Sequence, residues 1–61
     1  MNPMFNLPAF LERIEEAASR QQVLQLLKEL EQHCMHMNPD ECRRLSVQVA
    51  ERMSSRMAQL Q

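Results

Sequence analysis

Glycine, tryptophan and tyrosine are missing from this sequence, and Phe5 and Phe10 are its only aromatic residues. Without glycine there is no loop whose bare backbone can wrap a phosphate group, which removes the nucleotide-binding motifs built on such loops. No apolar run approaches the roughly 18 residues of a membrane span. The N-terminus lacks the basic-then-apolar order of a signal peptide. An excess of one charge is missing too: seven Lys and Arg stand against eight Asp and Glu, a net charge of −1, so no overall field draws the chain to nucleic acid or anionic lipid. Cysteine is limited to Cys34 and Cys42. These features together place the protein in the cytoplasm, where both thiols are expected to stay reduced.

What is abundant is Leu, Ala, Met, Gln, Glu and Arg, the residues of highest intrinsic helix propensity. Strands have little to work with, and the expected fold class is all-α. A chain of 61 residues forms one domain at most and buries only about 60% of the surface its unfolded form exposes. Chains this small compensate with disulfides, a metal, oligomerisation or very regular helix packing.

Three helix starts can be argued. Asn6 can cap a first helix, Pro8 sits where no amide partner is needed, and Phe5 and Phe10 have the spacing of a hydrophobic staple. Asn38-Pro39-Asp40-Glu41 repeats the signal, with Asn38 as cap and Glu41 able to reach back to the cap amide. The third start, at Ser19, follows from helical phase. Phe10, Leu11, Ile14, Ala17 and Ala18 share one arc, whereas Val23, Leu24, Leu26, Leu27, Leu30 and Cys34 share another, about 180° away in an unbroken helix. A break at Ser19, with Gln22 completing a capping box, turns both stripes toward one core. The reading is helices over 7–18, 20–36 and 39–60, a short leading helix before an antiparallel hairpin.

The last helix carries two rows. Cys42, Leu45, Val49, Met53, Met57 and Leu60 form the stripe expected to meet the second helix. Val47, Ala50, Ser54 and Ala58 form a flatter row beside it, where small side chains let another helix approach closely. Together with Met57 and with Leu24 and Leu26 on the wide stripe of the second helix, this row is the candidate seam for a partner or a second copy. The opposing reading is a solvent-exposed row of good helix formers. The expected hairpin is similar in architecture to those that pair into dimeric four-helix bundles, with no motif in common.

Chemistry has one candidate segment. His33, Cys34, His36 and Cys42 supply imidazole and thiolate, ligands that zinc or copper(I) accept. Their spacing matches no zinc pattern, and on a helix Cys34 and His36 point roughly opposite ways. Cys34 and Cys42 each lie four residues from Asn38 and should face each other beside the turn. They read first as buried thiols acting as small hydrophobes, with a conditional disulfide and a metal as alternatives. No nucleophile, base and orienting group come together in the sequence, so neither an enzyme nor a cofactor is expected.

The rival to protein binding is nucleic acid. Arg44, Gln48, Arg52 and Arg56 recur every four residues and could track a phosphate backbone. Near-zero net charge, the lack of stacking aromatics and the acids on the first two helices weigh against it. The expectation is a non-catalytic helical interaction module, a homodimer, adaptor, docking domain or inhibitor, acting by packing helix faces.

Overall fold

The computed structural model describes residues 5–60, and among them it holds three α-helices and no strand: α1 (Leu7–Glu16), α2 (Arg20–Cys34) and α3 (Pro39–Gln59). Each start is where the capping residues require it. Asn6 Oδ1 accepts from the Ala9 amide at 3.1 Å, Ser19 Oγ from Gln22 at 3.2 Å, and Asn38 Oδ1 from Asp40 at 2.9 Å. Each oxygen satisfies one of the first-turn amides that have no helical acceptor. Phe5 and Phe10 close the staple with ring centroids 5.3 Å apart.

The break between α1 and α2 needs no glycine. Ala17 leaves the helix with φ −60° and ψ 130°, and Ser19 stays extended. The Gln22 side chain reaches back 2.7 Å to the Ala18 amide, one residue earlier than a standard capping box. At α2's other end the chain tightens, with the His36 and Met37 amides donating to carbonyls three residues back, His33 and Cys34. All three helices finish one or two residues sooner than the apolar pattern alone indicates. Periodicity says where a stripe ends, whereas the backbone must unwind before a turn can form.

The reversal at Ser19 gathers the stripes into one core: Phe10, Ile14 and Ala17 from the α1 segment, Val23, Leu26 and Leu30 from α2, and Val49 and Met53 from α3. Ile14, Val23 and Val49 are the most deeply buried. Phe5, Leu7, Leu11, Cys34, Met57 and Leu60 pack around the rim of this cluster. At about 1.5 Å per residue, α3 alone spans most of the molecule's 37 Å length.

Cys34 and Cys42 do face each other across the turn, but not as free thiols. Their Cα atoms are 5.5 Å apart and the sulfurs are disulfide-bonded. That separation lies in the middle of the range a disulfide requires. The expectation of reduced thiols drew on composition, which fixes no geometry. The turn at Asn38 brings two helix ends together at bonding distance.

Candidate interaction surface

One side of α2 and α3 is covered by α1, and polar contacts hold the cover down. Arg13 lies 5.9 Å from the Phe10 ring centroid and donates twice to Glu29 on α2, each bond 2.9 Å long. These hydrogen bonds hold the Glu29 carboxyl below its ordinary pKa, outweighing the opposing effect of partial burial, and they raise that of Arg13. Arg52 on α3 bonds Glu15 at 2.9 Å. The fork of Arg56 closes on the Ala17 carbonyl, with Nε at 3.1 Å and Nη2 at 2.8 Å. A cation at the end of α1 satisfies a carbonyl that the helix leaves open and complements its dipole. His33 is occupied as well, its ring meeting Phe5 edge-on with centroids 4.9 Å apart.

The other side is bare. A groove of about 350 Å³ runs between α2 and α3, floored by Leu27, Leu30, Val49, Ala50 and Met53 and ended by the Cys34–Cys42 bridge, with Glu31 and Ser46 at its edge. Around it Leu24 is 48% exposed, Leu27 39% and Val47 57%. Single exposed apolar residues are ordinary, but Leu27 lines the groove itself, and Leu24 and Val47 each lie one helical turn from a residue that does, Leu27 on α2 and Ala50 on α3.

The expected seam residues divide on this surface. Val47, Ala50, Ser54, Ala58 and Leu24 are all exposed. Leu26 is not available to a partner, because it is 6% exposed and belongs to the core. Met57 is half-buried at the rim of that core. Leu27, left out of the expected seam, takes the place of Leu26. The physical reason is α1: it lies over the flank of α2 that carries Glu29, next to Leu26, and leaves the Leu27 flank open. The phase of α2 alone contains both leucines and cannot rank them.

The arginine row is dismantled in part. Arg52 and Arg56 are turned to Glu15 and Ala17, and of the three arginines in the row Arg44 alone is exposed without such a contact among the described residues. His36 is exposed in the turn after α2, and no three His, Cys, Asp or Glu side chains come together in a metal-binding group among the described residues. A second recess of about 300 Å³ between α1 and α2 is lined by Arg13, Glu16, Gln22, Gln25 and Glu29. Its charges are largely neutralised by the Arg13–Glu29 pair. No helix among the described residues is long and apolar enough to cross a membrane. No protein-family model, curated protein or solved structure matches the chain.

Proposed function

We propose that this chain is a non-catalytic interaction module, an adaptor, docking domain or inhibitor, in which α2 and α3 form an antiparallel hairpin whose uncovered face packs against helices of a protein partner. The observation that carries this reading is the asymmetry of the hairpin. One face is sealed by α1 and its ion pairs, while the other keeps Leu24, Leu27, Val47 and Ala50 in solvent around an apolar groove. Burying such side chains is worth about 25 cal/mol per Å² removed from water, a gain available only on docking. Nucleic-acid binding by Arg44, Arg52 and Arg56 is the weaker reading, because two of its three arginines are already spent inside the chain. Thiol or metal chemistry at Cys34 and Cys42 is weaker still while the two sulfurs are bonded to each other.

A photo-crosslinking side chain placed at Val47, on the open face, tests the proposal in the cell that makes the protein, with the same group at Gln25, on the α1 side, as control. Val47 should give adducts and Gln25 should not. Ala50→Glu with Ser54→Glu should abolish the Val47 adducts and cost no more than about 0.5 kcal/mol of stability, since both positions are exposed in a helix. Adducts that survive those charges, or that arise only at Gln25, refute the proposed surface.

A further inference from the structure

We infer that the occupant of the open face is a second copy of this chain, related by a two-fold axis that sets each α2 antiparallel to its counterpart. The inference rests on the interaction surface proposed above and adds what fills it. Arg20, Leu24, Leu27 and Glu31 follow one another along α2 at spacings of four, three and four residues. At about 100° per residue the four fall within roughly 60° of arc. Leu27 and Glu31 border the groove, and Leu24 is exposed beside them, so this stripe lies on the face that α1 leaves bare.

The stripe is its own complement. It has the same spacing read from either end, leucine in the middle, a cation at one end and an anion at the other. Turning a second α2 about an axis between Leu24 and Leu27 sets Leu24 against Leu27 of the other copy, twice. The same rotation sets Arg20 against Glu31, also twice. Neither Arg20 nor Glu31 has an ion partner among the described residues. Self-complementarity of one patch is what a two-fold interface demands, and a chemically different partner gives no reason for it.

Helix α3 fits the same axis. Counted from the Cys34–Cys42 bridge, Leu26 on α2 and Ala50 on α3 lie equally far along their helices, so an axis crossing α2 between Leu24 and Leu27 crosses α3 beside Ala50. Val47 then meets Ser54 of the other copy, and the methyl group of Ala50 stands where the two α3 helices come nearest. The distance between packed helices is set by the side chains at the contact, and alanine permits a short one. The charged stripe on α2 thus sets an axis that the small residues Val47, Ala50 and Ser54 of α3 accommodate.

Sedimentation equilibrium of the purified chain, from about 1 µM to about 1 mM, tests the arrangement. The wild type should be a monomer–dimer mixture whose weight shifts with dilution. Arg20→Glu alone, or Glu31→Arg alone, places like charges opposite each other at two points and should weaken the dimer roughly tenfold. The double reversal R20E/E31R should restore the wild-type constant, and circular dichroism should show unchanged helicity in all four proteins. A wild type that stays monomeric throughout overturns the inference, as does a dimer indifferent to the single reversals or one that the double reversal fails to restore. The crosslinks separate this failure from loss of the surface itself. Val47 adducts whose mass exceeds two copies of the chain, from a protein that is monomeric alone, retain the open face and discard the second copy. Absence of Val47 adducts discards both.

Discussion

Arg56 offers the sharpest test of how the leading helix is held. Its guanidinium donates from Nε and Nη2 to the one carbonyl of Ala17, and the side chain is half-buried in doing so. A hydrogen bond from a charged group contributes about 1.5–3 kcal/mol. The second bond shares its acceptor and adds less, and water can reach the carbonyl once the side chain is shortened. The expected loss for Arg56→Gln is therefore about 1.5–2 kcal/mol, which lowers the melting temperature of a domain this size by roughly 6–15 °C. Arg56→Lys retains a cation at the end of α1 but not the fork, and should fall between. Arg52→Gln is the control from the same helix, since its bond to Glu15 joins side chains that are 50% and 61% exposed. An exposed pair of that kind contributes at most about 1 kcal/mol, and in 1 M salt close to nothing. Thermal melts followed by circular dichroism give the stabilities, and amide exchange in the last turn of α1 shows where protection is lost. Equal melting temperatures for Arg56→Gln and Arg52→Gln would refute the capping role and return Arg56 to the row of free surface arginines.

Reducing the Cys34–Cys42 bridge, which closes a loop of eight residues' separation, removes about 2.5 kcal/mol of chain-entropy stabilisation and should lower the melting temperature by roughly 10–20 °C. A melt indifferent to reductant, with two thiols free to react, contradicts the bridge. Structural disulfides are rare in the reducing cytoplasm, so trapping thiols in intact cells before lysis decides between the bonded pair and the compartment that composition suggests. Glu29 is held below its ordinary pKa by Arg13, so its contribution is complete above the usual glutamate range and disappears as the pH falls through the depressed value. Both side chains are well exposed, which limits the effect to about 0.5 kcal/mol, and Glu29→Gln should abolish that part of the acid slope. Ser19→Ala removes the acceptor for the Gln22 amide and should cost about 1 kcal/mol, visible as a lower urea midpoint with an unchanged slope.

The helices were legible because local chemistry dictates them. Asn6, Ser19 and Asn38 are each an acceptor at the one place where amides lack partners, and the two prolines beside the asparagines cost the helices nothing there. The break at Ser19 was legible for a less local reason. Two apolar stripes on opposite sides of one helix cannot share a core in a chain this small, and the reversal that reunites them puts Ile14 and Val23 among the most buried residues. The facing of Cys34 and Cys42 followed from their equal distance to Asn38. Whether the sulfurs bond depends on a distance of a few ångströms across the turn, which no periodicity records.

The open face was legible only by half, and the missing half was tertiary. On α3 the small residues Val47, Ala50, Ser54 and Ala58 stand apart from the large ones, so their exposure follows from the sequence. On α2 apolar residues span too wide an arc, and nothing within the helix separates Leu26 from Leu27. The choice is made by Phe10, Ile14 and Ala17, whose burial in one cluster with Leu26 brings α1 over that flank, with Arg13 and Glu29 bridging its edge. The same tertiary choice uses up the arginines: with α1 in that place, Glu15 and the Ala17 carbonyl come within reach of Arg52 and Arg56, and a row that reads as a phosphate track becomes the fastening of a helix. Placement of α1 thus closes one surface and opens the other. A variant that releases α1 and keeps every arginine of the row, such as Phe10→Ala with Arg13→Ala, should therefore expose Leu26 and the Arg52 face together. A gain in affinity for duplex DNA in that variant alone would show that α1 guards a second surface, whereas no change leaves α1 with the one role of covering the core.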